Sequence, residues 1–394
     1  MENLWNEAEA AQCKGDLDLR VYTSNLLGRS EELVLHGGGN TSVKSVVDGE
    51  EILYVKGSGW DLVSIEAEGF APVRLAALKE MAACESLSDT EMVSKQKAAM
   101  TDSHAPNPSV EAILHAIIPF KFVDHTHADA VVTLSNSKEG ESLIEEIYPD
   151  FLIVPYVMPG FVLAQTIYEM TREGFDWEAC GGIILHHHGI FTFDDDAKAS
   201  YGKMIEAVSR AEAYLDTHAP LKTESSKAKP YDFDALGSAL SRAKGYEVVM
   251  HIDQSPLALT YASQPVLKTF ATRGVLTPEH IIRTKRTPLV LEDAAVDRAL
   301  EAYIDAYRDY FSRHATDEVM LDPAPNYAVI KEVGVVMFAK SGKEAAVMAD
   351  IVSHTMRAVL RADRLGGYQS IGEAESFAME YWELEQVKLK KQEQ

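Results

Sequence analysis

The sequence predicts an α/β protein built from two domains. From Phe122 onward, apolar runs of strand length alternate with helical patterns, which indicates a main sheet flanked by helices. The pattern breaks in the polar, proline-containing segment DTHAPLKTESSKAKPYDFDALG, which indicates a boundary near residue 225. At 394 residues the chain is long enough for two cores. We therefore expect one domain over residues 1–224 and a smaller α/β domain over residues 225–394.

The charge balance excludes several classes of partner. The chain has 37 Lys and Arg against 61 Asp and Glu, a formal net charge of −24, which repels nucleic acid and anionic membranes. Three cysteines without a CxxC pair indicate a reducing compartment. The N-terminus lacks a signal-peptide pattern, and no apolar run reaches the roughly 18 residues of a membrane span. We expect a cytoplasmic protein that acts on a small molecule.

Ahead of Phe122, the patterns predict helices and strands joined by glycine-rich turns. A helix is expected from about residue 5 to 30. ELVLHGGGNTSVKS is expected to form a strand, a tight turn and a strand, and EEILYVKGSGWDL an apolar run ending in a second turn. EGFAPVRLAALKEMAACESL and PSVEAILHAIIPF have helical patterns. The latter would start at Pro108 and carry Glu111 and His115 on one side.

The alternating region gives the remaining elements. Strands are predicted in KFVDHTHADAVVTLSNS, FLIVPYVMPG and CGGIILHHHGIFTF, and helices in GESLIEEIYPD, FVLAQTIYEMTREG and residues 195–214. Beyond the boundary, strands are predicted in HIDQSPLALTYAS and NYAVIKEVGVVMFAK, with a helix that begins near Ala294.

Two segments of the chain resemble each other. ILHHHGIFTFDDDAKASYGKM, from Ile184, aligns with VIKEVGVVMFAKSGKEAAVMA, from Val329. Three aligned positions are identical, Gly189 with Gly334, Phe193 with Phe338 and Lys198 with Lys343. An internal duplication and chance explain this equally well. The three histidines of the first segment correspond to Lys331, Glu332 and Val333, so a second copy would lack a metal site.

Histidines are the strongest chemical signal in the sequence. His125 and His127 occupy alternate positions of a predicted strand, so their rings would share a face. Alone, such a pair is more often ordinary polar residues at a strand end. His186 and His188 follow another apolar run and also alternate. Two imidazoles from one strand and a third from another make up the three-ligand set of a catalytic zinc.

Two glycine-rich turns and one glutamate are weaker signals. HGGGNTS and KGSGW match neither a Walker loop nor a dinucleotide-binding fingerprint. Their backbone N–H groups could hold a phosphate or carboxylate, or they could be hairpin turns without a ligand. Glu111 precedes the first histidine strand and could lie near the ion, or be a solvated surface residue.

Taken together, GGGNTSVK, KGSG, PSVE, HTH and HHHG, in this order over residues 36–189, resemble the class II aldolase and adducin family. TPEHIIRTK, from Thr277, and MEYWELEQVKL, from Met379, extend the resemblance to enzymes in which a rhamnulose-1-phosphate aldolase is fused to an alcohol dehydrogenase. The resemblance implies a class II aldolase-like α/β/α sandwich with a central, mostly antiparallel sheet. The smaller C-terminal α/β domain would be either a degenerate repeat or unrelated.

The resemblance also implies roles for individual residues. The ligands of Zn²⁺, or of another divalent transition metal, would be His125, His127 and His188, the last because the family's ligand directly precedes the glycine. Glu111 would be the catalytic acid and base. The residues around the substrate phosphate would be Asn40, Ser58, Gly59 and Ser109. Val110 stands where a related enzyme has a second serine, so the phosphate could be held differently or be absent.

The implied function is a zinc-dependent aldolase that cleaves a ketose 1-phosphate to dihydroxyacetone phosphate and a short aldehyde. An epimerase or dehydratase of a sugar phosphate, and a non-catalytic adducin-like binding protein, are the alternatives. The resemblance further implies a homo-oligomer. Residues 225–394 could bind a separate dehydrogenase, because the terminal EYWELEQVKLKK resembles a linker to a further domain.

Overall fold

The computed structural model describes residues 1–223 and 227–384, which belong to two compact units. The first unit comprises Met1–Ser135 and Gly140–Tyr214, and the second comprises Asn136–Glu139 and Leu215–Gln394. The predicted boundary near residue 225 lies outside the described residues, and so does most of the terminal segment EYWELEQVKLKK. Within the described ranges, no helix combines the length and the apolarity that a membrane span needs.

A seven-stranded sheet organises the first unit. Its strands are β1 (Asn40–Val47), β2 (Glu50–Lys56), β3 (Phe70–Arg74), β4 (Phe122–Thr126), β5 (Leu152–Val154), β6 (Ile183–Leu185) and β7 (Gly189–Asp194). Their order across the sheet is β3-β2-β1-β4-β7-β6-β5, and every neighbouring pair is antiparallel except β5 with β6. The expected mostly antiparallel sheet is confirmed.

Helices cover both faces of this sheet. They are α1 (Glu7–Ala10), α2 (Asp16–Gly28), α3 (Leu75–Ala82), α4 (Asp89–Ala98), α5 (Ala112–Ile117), α6 (Asp129–Ser135), α7 (Gly140–Ile147), α8 (Phe161–Thr171) and α9 (Ala197–His218). Val123 of β4 belongs to the core formed with α3, α5 and α8. Its neighbour Phe122 packs instead with Leu19 of α2 and Ala197 of α9. Because successive strand residues point to opposite faces, the layers are α/β/α.

Two predictions for the N-terminal region are wrong. The helix expected from about residue 5 to 30 is divided into α1 and α2, because Gly15 between them has φ +138°, which a helix excludes. The apolar run ELVL is a turn and not a strand, since the amides of Leu33 and Val34 both donate to the Ser30 carbonyl. The second strand of that segment forms as expected, as β1.

Two predicted helices are shorter than expected, because their first residues form β-pairing with neighbouring segments instead. The segment from residue 68 to 87 begins as β3, an edge strand paired with β2, and becomes α3 only at Leu75. Pro72 is compatible with this edge position. The helix expected from Pro108 begins at Ala112, since Pro108 forms a β-bridge with Gly57 and the Ser109 amide donates to the Lys56 carbonyl.

The second unit contains a four-stranded sheet. Its strands are β8 (Val249–Asp253), β9 (Leu289–Leu291), β10 (Tyr327–Ile330) and β11 (Gly334–Ala339). Its helices are α10 (Phe233–Lys244), α11 (Pro256–Ala262), α12 (Leu267–Ala271), α13 (Ile281–Thr284), α14 (Val296–His314), α15 (Gly342–Asp363) and α16 (Glu373–Glu380). HIDQSPLALTYAS is only in part a strand, because the Ser255 side chain caps a helix that starts at Pro256.

The small sheet repeats part of the large one. Its order β8-β11-β10-β9 matches β4-β7-β6-β5, with one parallel pair at the same edge, β9 with β10. The hairpins β6–β7 and β10–β11 are each followed by a helix of 22 residues. Their turns place His187 at φ 60° and Glu332 at φ 59°. This is the correspondence that an internal duplication would leave, with the histidines replaced in the second copy.

A buried ion pair joins α2 to one face of the large sheet. Arg20 Nη2 lies 2.5 Å from Asp124 Oδ1, and both side chains are completely inaccessible to solvent. Arg20 Nη1 also faces the carbonyl oxygens of Ser42 and Val123, at 3.4 Å each. Ser200 of α9 donates to the second Asp124 oxygen. The pair therefore connects two helices to β4.

We expect Arg20→Met to lower the free energy of unfolding of the first unit by about 3–5 kcal/mol, because Asp124 is left buried and unpaired. Urea unfolding measures this change. The control is Arg172→Met, which removes an exposed pair with Glu169 and should change stability by less than about 0.5 kcal/mol. Equal effects of the two substitutions would contradict a structural role for the buried pair.

Candidate metal centre

Strand β4 directs His125 and Asp124 to opposite faces of the sheet. His125 lies opposite Asn40 of β1 and Phe191 of β7, so these three side chains form a row on one face. The His125 ring stacks on Phe191, with ring centroids 4.0 Å apart, and is fully buried. The imidazole therefore has one fixed position.

The predicted strand does not extend through His127. β4 ends at Thr126 and α6 begins at Asp129, so the apolar run that suggested a strand is helical. This run is buried throughout, and such a run has no periodicity that distinguishes helix from strand. His127 nevertheless approaches His125, with 3.0 Å between the two Nε2 atoms.

The triple histidine is the turn of the β6–β7 hairpin rather than the end of one strand. β6 stops at Leu185 and β7 starts at Gly189. A Cβ on Gly189 would lie 2.4 Å from the Thr126 carbonyl oxygen, so only glycine permits this close approach to β4. The turn places His188 beside His125, with ring centroids 5.1 Å apart. His186 is not part of this group.

The three histidines brought together have the geometry of a metal site. One ring nitrogen from each of His125, His127 and His188 lies within 4.8 Å of the others. Tetrahedral coordination at a Zn–N distance of 2.0–2.1 Å separates ligand nitrogens by about 3.3 Å, so small side-chain movements suffice. His125 Nδ1 lies 3.1 Å from the Ile190 carbonyl, which holds the proton there and leaves the Nε2 lone pair for an ion.

Glu111, which belongs to a different element, lies beside the three histidines. It is the N-cap residue of α5 and is 5% exposed. Its Oε2 lies 3.5 Å from His125 Nε2, and its Oε1 lies 3.8 Å from His188 Nε2. Asn40 donates to Oε2 at 2.6 Å, whereas Oε1 has no hydrogen-bond partner among the described residues. A buried carboxylate with one unused oxygen is suited to bind an ion or to transfer a proton.

His115 holds this carboxylate indirectly, a role that the sequence did not reveal. Burial lowers the pKa of His115 well below its usual range, so the ring is neutral. Its Nδ1 accepts from Ser42 Oγ at 2.8 Å and its Nε2 donates to Asn40 Oδ1. The Asn40 amide group is thereby turned toward Glu111. The four-residue spacing of Glu111 and His115 was the only signal.

The residues expected around a phosphate are partly brought together. The bridge between Gly57 and Pro108 places Ser58 and Ser109 on adjacent backbone segments. Ser58 and Gly59 are exposed, and Ser109 is half-buried with its hydroxyl accepting from the Glu111 amide at 3.2 Å. The Asn40 side chain instead donates a hydrogen bond to Glu111 and accepts one from His115.

Lys56 is a buried cation beside these segments that sequence reasoning missed. Its Nζ donates to the Gly37 carbonyl at 3.0 Å, in the first glycine-rich turn. Burial lowers its pKa to about 8, with Asp61 and Glu111 opposing this change, so it stays mostly charged at neutral pH. Its position just ahead of Gly57, in KGSG, was the available signal.

Two family models match almost all of the chain. The Class II Aldolase and Adducin N-terminal domain matches residues 19–215. The second domain of class II aldolase matches residues 229–389. The first match contains all eight residues named above as ligands, acid and base, or phosphate contacts.

Individual relatives are similar to different extents. The chain is 38% identical to the N-terminal class II aldolase domain of a conserved protein from Thermoplasma acidophilum, over 55% of this chain and 99% of that one, with a TM-score of 0.50. It is 29% identical to "Uncharacterized oxidoreductase YuxG" of Bacillus subtilis (strain 168), over 99% of this chain. This chain spans 60% of that relative's length. L-fuculose-1-phosphate aldolase from Thermus thermophilus is 16% identical over 51% of this chain and 95% of its own, with a TM-score of 0.34.

We expect His188→Ala to weaken divalent-metal binding by more than about 100-fold, because it removes a direct ligand, whereas loss of an outer partner costs up to about that much. Elemental analysis after dialysis, followed by competition with a chelator, measures the effect. His186→Ala is the matched control from the same turn and should bind metal like the unmodified protein. Equal loss in the two variants would contradict the assignment of His188.

Proposed function

Because the chain belongs to the class II aldolase and adducin family, we propose that it is a metal-dependent aldolase. Its substrate is a ketose 1-phosphate of the rhamnulose-1-phosphate type, and its products are dihydroxyacetone phosphate and a short aldehyde. The observation that carries this proposal is the position of Glu111, 3.5 Å from His125 Nε2 and 3.8 Å from His188 Nε2. A buried carboxylate beside a three-nitrogen site is what proton transfer next to a polarised carbonyl requires.

The nitrogen ligands favour Zn²⁺, and another divalent transition metal fits the same set. When bound, the ion would act as a Lewis acid toward the substrate carbonyl. His125, His127 and His188 would supply three ligands and leave the remaining position to the substrate. The contact of His125 Nδ1 with the Ile190 carbonyl would keep that ring in the ligating tautomer.

Glu111 is the residue that would move the proton. Cleavage breaks the bond between the carbon next to the ketone and the following carbon, whose hydroxyl loses its proton to solvent as it becomes the aldehyde carbonyl. The electron pair stays on the carbon next to the ketone, and a proton must be added to that carbon. Glu111 would deliver this proton in cleavage and remove it in synthesis. Asn40 holds Oε2, so Oε1 is the oxygen that we assign to the transfer.

The phosphate would lie against the segments that carry Ser58, Gly59 and Ser109. Ser58 and Gly59 are exposed and can approach a ligand, and Lys56 adds a positive charge nearby. Asn40 could add only its second amide hydrogen, because His115 and Glu111 occupy the rest of the group. Val110 packs against the core and has no donor to offer.

The alternatives use the same site differently. An epimerase would break the same bond and rebind the aldehyde by its other face. A dehydratase would remove a proton from the carbon next to the ketone and expel the hydroxyl of the following carbon. Release of free aldehyde from a ketose 1-phosphate separates the aldolase from both. A binding protein of the adducin type would have no use for a buried Glu111 beside three histidines.

We also propose that the chain binds a separate oxidoreductase as a partner. One relative is named an oxidoreductase, but this chain matches only 60% of its length, so the name does not decide the activity of this chain. The class of partner that it suggests is a separate dehydrogenase acting on the released aldehyde. Pull-down of the full chain with purified candidate dehydrogenases tests this idea.

We expect Glu111→Gln to lower kcat by about 10²–10⁴-fold while metal content is unchanged, because the substitution removes the acid and keeps its volume. Aldehyde release from ketose 1-phosphates, with a coupled dehydrogenase, measures kcat. Glu206→Gln, at an exposed pair on α9, is the control and should be as active as the unmodified protein. An unchanged kcat in Glu111→Gln would exclude this residue from the reaction.

We expect Ser58→Ala to raise KM for the ketose 1-phosphate by about tenfold or more, because a hydrogen bond to a charged group is lost. KM for the same ketose without phosphate should not change, since Ser58 would contact only the phosphate. Parallel kinetics with the two sugars measure both values. An equal rise for both sugars would show that Ser58 does not recognise the phosphate.

A further inference from the structure

A cavity lies in the C-terminal unit, and none of its lining residues belongs to the candidate metal centre. Its volume is about 190 Å³, room for about six water molecules. Lys285, Arg286 and Arg313 line it together with the rings of Tyr303, Tyr307 and Tyr310. Three cations at one cavity are unexpected in a chain whose net charge is −24.

The cations differ in whether a carboxylate neutralises them. Arg313 Nη2 binds Glu373 at 2.7 Å. Lys285 Nζ lies 3.7 Å from Glu380 Oε1. Arg286 makes neither an ion pair nor a hydrogen bond with the described residues, and its buried Nε has no partner there. Arg286 is half-buried, and the nearby carboxylate of Glu373, which attracts it, is already bonded to Arg313. The lining therefore holds three cations and one carboxylate, and the Arg286 guanidinium can bind an anionic group directly.

Lys285 lines the cavity with a strained backbone conformation. Its φ of 64° and ψ of 173° fall in a region that is almost confined to glycine. Its side chain is nevertheless buried, with Nζ 3.8 Å from the centroid of the Tyr307 ring. Burial lowers the pKa of Lys285 to about 8, with Glu380 opposing this change. Strain of this kind persists where the surroundings hold it, and it is concentrated at binding sites.

Two of the three tyrosines are held in place by hydrogen bonds from their hydroxyl groups. Tyr303 donates its hydroxyl to the Thr287 carbonyl at 2.9 Å, and Tyr307 donates to Glu380 at 2.7 Å. Their rings are left as rigid, mostly apolar surfaces beside the cations. This combination suits a ligand with an anionic end and a carbon skeleton.

The cavity also accounts for two sequence segments that the metal centre does not use. TPEHIIRTK ends at Lys285, and MEYWELEQVKL contains Glu380 and Tyr381. Lys285 faces Glu380, and the Tyr307 hydroxyl bonds to both Glu380 and Tyr381. Glu380 and Tyr381 thus support two lining residues of the cavity, Lys285 and Tyr307.

We propose that this cavity is a binding site for a small organic anion, held through a carboxylate or phosphate group. Arg286 binds the anionic group, Lys285 adds a second charged donor, and the tyrosine rings pack against the carbon skeleton. Arg286 is then paired only when the ligand is present. This proposal uses none of the residues assigned to the aldolase chemistry and does not depend on it.

Calorimetric titration of the metal-free full chain tests this proposal, with inorganic phosphate, glycerol 3-phosphate and glycerate as probes. We expect at least one probe to bind, and Arg286→Met to weaken it about tenfold or more, as expected for loss of a charged hydrogen bond. Glycerol 3-phosphate and glycerate distinguish a phosphate from a carboxylate site. The matched control is Arg308→Met on α14, whose exposed pair with Asp305 lies outside the cavity lining and should not affect binding.

A melting experiment without ligand separates binding from a structural role. Arg286→Met should melt at the same temperature as the unmodified protein or higher, because no internal contact is lost. A lower melting temperature would assign the guanidinium to folding and overturn the proposal. Equal binding by Arg286→Met and the unmodified protein, or no binding of any probe at millimolar concentration, would also overturn it.

Discussion

The pairing of β4 with β1 on one side and β7 on the other is the constraint on which the candidate metal centre depends. It places His125 opposite both Asn40 and Phe191, and it brings the turn that ends in His188 beside the end of β4. A shift of one residue in β4 would send His125 to the face that now holds Asp124. The register of β4 is thus fixed by two neighbouring strands.

The same alternation along β4 separates two buried carboxylates with different partners. Asp124 faces Arg20, which neutralises it within the fold. Glu111, on the other face, lies beside histidines whose lone pairs can bind a cation from solution. A buried carboxylate requires positive charge nearby. Asp124 has an ion-pair partner within the fold, whereas the group formed by Glu111 and the three histidines is the one that we propose binds an ion.

The sequence identified the side chains of the site better than their backbone geometry. Histidines are chemically distinct, so His125 and His127 were recognisable without a fold, and the family resemblance selected His188 over His186. The end of β4 at Thr126 was not recognisable, because a buried apolar run has no informative period. His115 was visible only as a neighbour of Glu111 in a predicted helix. Its role depends on a contact with a residue 75 positions away, which only the tertiary structure shows.

In the proposed metal centre, three imidazoles from two parts of the chain bind one ion. X-ray absorption spectroscopy of the full chain loaded with one equivalent of Zn²⁺ tests this arrangement. We expect three imidazole nitrogens at about 2.0–2.1 Å, with oxygen as the remaining ligand. A coordination shell that contains sulfur, or two imidazoles or fewer, would rule this metal centre out.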